Sequence, residues 1–187
     1  VLDGMQGGTA ATQDVFIEHV GQPTLACIRP AVKALQDLNM HRKVQLIISG
    51  GIRTGADVAK ALALGADAVS IGTAALIALG DNDPIWEKEY EKLGTKAGCY
   101  DDWHEGTDPA GITTQDPILA ARLDPVIGGE RIKNYLKVMV LELQTLARAC
   151  GKNDVRNLEP EDLCALTLEA AAMAGVPLAG TDWIPGK

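Results

Sequence analysis

Two glycine turns, each directly after a short apolar run, hold the residue types best suited to chemistry. The first is Ser49-Gly50-Gly51, with Arg53 shortly after it, and the second is Gly72-Thr73. Glycine lets backbone amides come close to a phosphate because no Cβ blocks the oxygens, and amides at the start of a helix carry partial positive charge. A threonine hydroxyl and a guanidinium can add hydrogen bonds to the same dianion. The two turns together predict a phosphate-binding site.

The common nucleotide-binding glycine motifs do not fit these turns. Gly50-Gly51 does not match G-x-G-x-x-G, and no glycine loop continues into Lys followed by Ser or Thr, so we exclude the Rossmann and P-loop interpretations. Either turn alone could equally be a tight turn in a sheet that binds nothing. Two such turns, each after a buried strand, favour phosphate binding instead.

The segments around the turns follow the order strand, helix, strand, helix. Residues 44–48 and 68–71 are apolar runs typical of strands buried on both faces, and helices are expected at 56–64 and 74–79. This spacing predicts a βαβ unit with a parallel sheet. Residues 1–3 look like the end of another strand, so we interpret the chain as a piece of a longer polypeptide. In a (β/α)8 barrel, the loops after the last two strands lie side by side and often bind phosphate.

The sequence changes character after residue 80. Residues 81–130 are rich in Asp, Gly, Pro and Thr, with one polar helix at about 84–92. Apolar periodicity predicts a helix at 131–150, and prolines at helix starts predict one beginning near Pro30 and one running from Pro160 to about Gly175. We therefore predict two parts: residues 1–80 as the last strands and helices of the barrel, and residues 81–187 as a loop and helical extension packed on it.

Composition narrows the class of protein. The net charge is −8 and no basic stripe is present, so nucleic acid is not an expected partner. No run of eighteen apolar residues exists, so no membrane span is expected. The four cysteines are widely spaced and indicate reduced thiols in a cytoplasmic protein. They are Cys27, Cys99, Cys150 and Cys164.

Three longer stretches resemble the FMN-binding domain of the glutamate synthase family, in that family's order and spacing. They are residues 2–9 (Leu-Asp-Gly-Met-Gln-Gly-Gly-Thr), 49–58 (Ser-Gly-Gly-Ile-Arg-Thr-Gly-Ala-Asp-Val) and 72–80 (Gly-Thr-Ala-Ala-Leu-Ile-Ala-Leu-Gly). Residues 109–115 (Pro-Ala-Gly-Ile-Thr-Thr-Gln) and the helix after them extend the resemblance to about residue 150. The fold class expected is therefore α/β, the C-terminal portion of a (β/α)8 TIM barrel with a helical extension after the barrel.

The resemblance implies a cofactor, a reaction and site residues. The cofactor is FMN, and the reaction is reduction of the imine formed from 2-oxoglutarate and ammonia or an amine, with hydride supplied by the flavin. The expected cofactor-binding residues are Ser49, Gly50, Gly51, Arg53, Gly72 and Thr73 around the phosphate, and Gln6, Gly7 and Gly8 near the flavin ring or substrate. Asp3 and Thr9 are expected to contact substrate. No catalytic residue is assigned, because no nucleophile–base pair is evident.

The chain departs from the family pattern where family members carry three cysteines for an iron–sulfur cluster. Asp108 and Thr113 stand at two of those positions, and Cys99 is offset from the first. Such clusters need several thiolates, so no cluster is expected. A zinc site of Cys99, His104 and Asp108 would need a fourth ligand, and a solvated, structured loop without metal is the favoured interpretation.

The missing cluster makes the sequence more similar to stand-alone subunits resembling the large subunit of N-methylglutamate synthase. That resemblance implies an oligomeric assembly with the N-terminal half of the barrel, a glutaminase-like subunit or domain and a β-helical one. Two alternatives stay open at this point. One is another phosphate-binding barrel of the IMP-dehydrogenase type. The other is a non-catalytic interaction subunit whose helices 131–150 and 160–174 dock a partner.

Overall fold

The computed structural model describes residues 1–8, 14–81, 83–97 and 102–186, and it has α/β architecture. The strands are β1 (Leu2–Asp3), β2 (Ile47–Ser49) and β3 (Ala68–Ser70). The helices are α1 (Asp14–His19), α2 (Thr24–Asp37), α3 (Gly55–Ala63), α4 (Thr73–Leu79), α5 (Glu87–Lys92), α6 (Pro117–Ala120), α7 (Pro125–Ala149) and α8 (Leu168–Ala174). Among these helices, none is both long and apolar enough to cross a membrane.

The three strands form one parallel sheet in the order β1-β2-β3. Asp3 pairs with Ser49, and Ser49 pairs with Ser70, so the carboxyl ends of all three strands reach the same edge. The parallel sheet predicted from the two apolar runs is confirmed. The loops that follow the strands begin at this edge, which is where α/β proteins place their ligands.

The chain divides into two compact units. The first contains Val1–Gly8, Val15–Ile71 and Met139–Lys187, and the second contains Gly72–Val138. The predicted division at residue 80 concerns membership of a barrel, which these units do not test, and it stays a prediction. The core of the first unit joins β2, α2, α3 and the C-terminal segment through apolar residues buried from water. These are Ile28, Val32, Leu46, Ile48, Ala61, Leu64, Ala66, Ala165, Ala171, Ala174 and Val176.

Both helix starts that were predicted at prolines are wrong. Helix α2 begins at Thr24 and contains Pro30 in its interior, where a missing N–H normally weakens a helix. The helix continues because Ile28 and Val32, on either side of the proline, are each 2% exposed in the core. Pro160 opens a 3-10 turn, Pro160–Asp162, and α8 begins only at Leu168.

The other predicted elements are present, with shifted ends. Strand β2 begins at Ile47 rather than at residue 44, because residues 41 and 44 form an isolated bridge outside the sheet. Helix α7 begins six residues before the predicted start. The Asp124 carboxylate accepts hydrogen bonds from the amides of Val126 and Ile127, and Pro125 occupies the first helical position.

Candidate functional site

The first glycine turn follows β2 with an irregular backbone. Gly50 and Gly51 have φ angles of 102° and 75°, values that residues with a Cβ rarely adopt. A Cβ on Gly50 would lie 2.8 Å from Thr24 Oγ1, and one on Gly51 would lie 3.2 Å from Gln6 Cβ. The fold of the first unit therefore requires glycine at both positions whether or not a ligand binds.

Thr24, the first residue of α2, joins two of the loops at the edge of the sheet. Its amide and its hydroxyl both donate to Gln6 Oε1, at 2.9 and 2.8 Å, and its hydroxyl lies 3.4 Å from the carbonyl oxygen of Ser49. Thr24 is 7% exposed. The Gln6 side-chain oxygen is thus engaged in capping α2, and Gln6 positions the loop after β1 against the end of β2.

The start of α3 is held by two carboxylates. Thr54 and Asp57 form a reciprocal capping box, in which the Asp57 carboxylate accepts from the amides of Arg53 and Thr54. The Glu142 carboxylate of α7 accepts from the Gly55 amide at 2.7 Å. Because these amides already have acceptors, the start of α3 is not the place where a phosphate would bind.

The turn opens onto a cleft of about 400 Å³ within the first unit. Apolar side chains of α2 and the turn line it together with the charged groups of Arg53, Asp57 and Lys60. The Arg53 side chain is 78% exposed, and its Nε lies 3.8 Å from Asp57 Oδ2. The cations of Arg53 and Lys60 allow this arrangement to bind and orient an anion.

The structure brings four of the predicted cofactor residues together at this cleft: Gln6, Gly50, Gly51 and Arg53. Asp3 instead folds over its own loop, where its carboxylate accepts from the Gly8 amide at 3.1 Å and occupies the space that a Cβ on Gly7 would need. Thr9 lies outside the described residues. The predicted roles of Asp3, Gly7 and Gly8 therefore stay predictions.

The second glycine turn belongs to the second unit and differs from the first. Gly72 precedes α4, and its carbonyl oxygen accepts from the amides of Ala75 and Leu76. Its φ is −128°, and a Cβ built on it would meet no described heavy atom within 4 Å. Its ψ is −93°, and packing among the described residues does not require a glycine here. Thr73 is the first residue of α4.

The loop around Asp108 was predicted to be structured and solvated, and the second expectation is wrong for Asp108 itself. Asp108 is 0% exposed, and its carboxylate accepts from the amides of Ala110, Ile112 and Thr113 at 2.9, 2.8 and 3.0 Å. Three backbone donors replace the water that a buried carboxylate loses. Among the described residues, no group of His, Cys, Asp and Glu could hold a metal ion, and Cys99 lies outside them.

The match to a family model shows which protein family the chain belongs to. A model described as a conserved region in glutamate synthase matches residues 1–85 and 92–153. The chain belongs to the glutamate synthase family. This match includes both glycine turns, β1 to β3 and the Asp108 loop.

Individual glutamate synthase relatives agree. A glutamate synthase large subunit-like protein of Rhizobium meliloti is 82% identical over all 187 residues, which span 42% of that relative. An archaeal glutamate synthase [NADPH] of Methanocaldococcus jannaschii is 40% identical over 84% of this chain and 28% of its own length. A ferredoxin-dependent glutamate synthase of Cyanidium caldarium is 31% identical over 83% of this chain and 10% of its own length. The chain thus spans less than half the length of each of these relatives.

Sequence reasoning missed three residues at the first turn and its cleft. Thr24 could have been found from the Pro23-Thr24 pair, which is a helix-start signal equal to the one at Pro30. Lys60 lies about one and a half helical turns into α3 and gave no separate signal. Glu142 contacts Gly55 across 87 positions of sequence, a distance that no local pattern reveals.

Proposed function

We propose that the chain is the flavin-phosphate-binding part of an FMN-dependent oxidoreductase of the glutamate synthase type. The reaction proposed is reduction of the imine formed from 2-oxoglutarate and ammonia or an amine, which gives glutamate or N-methylglutamate. Membership of the glutamate synthase family supports this over the IMP-dehydrogenase-like alternative. Nothing described favours the alternative of a non-catalytic interaction subunit.

The observation that carries the cofactor proposal is the contrast between the glycine turns. Gly50 and Gly51 are required by the fold, whereas no described heavy atom crowds the space beside Gly72. A phosphate that approaches the backbone closely could use that space. The residues proposed to hold it are Ser49, Gly50 and Gly51, with Gly72 and Thr73, and Arg53 would add a cation.

Bound FMN would supply two electrons as hydride to the imine carbon, and the imine nitrogen would gain a proton. The chain's own residues bind and orient in this proposal. The backbone amides of Gly50 and Gly51 would donate to the phosphate, and the exposed guanidinium of Arg53 lines the same cleft. Gln6 and Thr24 hold the neighbouring loop in place through their mutual hydrogen bonds.

The proposal extends to the assembly. The three parallel strands are proposed to belong to a (β/α)8 barrel that further strands complete, because three strands cannot close a barrel. Glutaminase-like and β-helical partner subunits or domains are proposed, and the ammonia or methylamine would arrive from a partner. No iron–sulfur cluster is proposed at the Asp108 loop, since such clusters need thiolates and Asp108 and Thr113 stand where family members carry cysteines.

The test is a flavin measurement on the protein purified together with any polypeptides bound to it. The expected result is the visible absorption of oxidised flavin, with FMN identified by mass spectrometry after denaturation. Anaerobic addition of 2-oxoglutarate with ammonium or methylamine to the photoreduced protein should reoxidise the flavin and form glutamate or N-methylglutamate. A colourless protein that does not take up added FMN would refute the proposal.

A further inference from the structure

The hydrogen bond between Gly55 and Glu142 connects the proposed phosphate turn to a helix distant in sequence. The Gly55 amide is the first of α3, and residues 50–54 are all that separates it from β2. The Glu142 carboxylate, on α7, accepts from this amide at 2.7 Å. The turn is therefore held at one end by the sheet and at the other by Glu142.

Packing at Gly55 reinforces this link. Gly55 is buried, and a Cβ on it would lie 2.7 Å from the Leu143 amide nitrogen and 2.8 Å from Glu142 Cβ. The backbone of α7 thus lies directly against the start of α3. No side chain fits between them, so a shift of Glu142 must move Gly55 and with it the end of the turn.

Charge gives Glu142 a second effect on the turn. Asp57 and Glu142 both place carboxylates at the start of α3, where they satisfy the amides of Arg53, Thr54 and Gly55. A phosphate that approaches Gly50 and Gly51 meets this negative charge a few residues away. The hydrogen bond of Glu142 should therefore favour phosphate binding by fixing the turn, and its charge should oppose it.

We propose that Glu142 is a positioning residue that fixes the Gly50–Thr54 turn through the Gly55 amide and so sets the affinity for the FMN phosphate. The proposal rests on the proposed function, because it takes the turn to be part of the FMN site. The Glu142 carboxylate contributes a hydrogen-bond acceptor and a negative charge, and different substitutions can remove these two properties separately.

The experiment measures FMN binding to the flavin-free protein, with its bound polypeptides, by quenching of flavin fluorescence. Glu142→Met keeps the length of the side chain but removes the acceptor, and it should weaken FMN binding about fivefold. Glu142→Gln keeps an acceptor oxygen and removes the charge, so it should bind FMN as tightly as the unmodified protein or more tightly. Gln144→Met, at an exposed position of the same helix, is the matched control and should leave binding unchanged.

Amide hydrogen exchange at Gly55 separates positioning from general loss of stability. In Glu142→Met, exchange should rise at Gly55 and in the turn while the core residues Ile28 and Ile48 stay protected. Unchanged FMN affinity in Glu142→Met would overturn the proposal, as would a Glu142→Gln variant that binds as weakly as Glu142→Met. Unmodified protein that binds no FMN would instead refute the proposed function, and this inference with it.

Discussion

The buried carboxylate of Asp108 offers the sharpest test of how this chain holds a loop for which the family pattern has cysteines. Asp108 accepts hydrogen bonds from three backbone amides, and the Tyr90 hydroxyl lies 3.5 Å from Oδ1. Replacement with alanine leaves all three amides without this acceptor. We expect this change to destabilise the second unit more than the loss of an exposed carboxylate would.

The magnitude follows from the burial of each donor. A buried amide left without an acceptor costs about 1–3 kcal/mol. The Ala110 bond is buried, whereas the bonds from Ile112 and Thr113 are partly buried, so water can replace some of the lost acceptor there. The expected cost of Asp108→Ala is therefore about 3–5 kcal/mol, below the sum of three full penalties. Asp108→Asn keeps one acceptor oxygen and should cost about 1–3 kcal/mol.

Urea unfolding and amide hydrogen exchange measure these effects. Exchange should accelerate at residues 110, 112 and 113 in both variants, and more strongly in Asp108→Ala. Asp182→Asn, which makes the same chemical change at an exposed position, serves as the control. If Asp108→Asn matched this control to within about 0.5 kcal/mol, the carboxylate would not hold the loop and the reasoning would fail.

Three further predictions concern the glycine turns and a surface ion pair. Gly51→Ala should lower both stability and FMN retention, whereas Gly94→Ala, with a similar φ of 76° but open space for the Cβ, should show only the backbone cost in thermal unfolding. The Cβ that Gly72→Ala adds would contact no described atom, so the variant should lose more FMN binding than stability. An FMN affinity equal to that of the unmodified protein would count against a phosphate beside Gly72. The pKa of Asp154 is lowered from 3.8 to about 2, chiefly by the side-chain hydrogen bond from Arg156. The ionised carboxylate of Asp154 therefore stabilises the folded protein above pH 3.8, and this stabilisation disappears as the pH falls through about 2. Urea unfolding across that range should show any difference in unfolding free energy between the unmodified protein and Asp154→Asn shrinking as the pH falls.

The elements around the glycine turns were predictable because their signals are local. Apolar runs before Ser49 and Gly72 indicated parallel strands, and the structure pairs Ser49 with Ser70 in one parallel sheet. Helix ends were less reliable. Pro30, Pro125 and Pro160 carry the same local signal, yet of these three only Pro125 opens an α-helix. Packing of Ile28 and Val32 carries α2 through Pro30, and Pro160 opens only a 3-10 helix.

The sequence by itself determined the family, the parallel direction of the strands and the positions of the two glycine turns. These properties depend on residue type and short spacing, which the chain displays directly. Only the tertiary structure decided that Gln6 caps α2, that Glu142 reaches Gly55 and that Asp108 is buried. Each of these depends on which backbone amides lack an acceptor after the chain has packed, and packing brings together residues that no sequence pattern links.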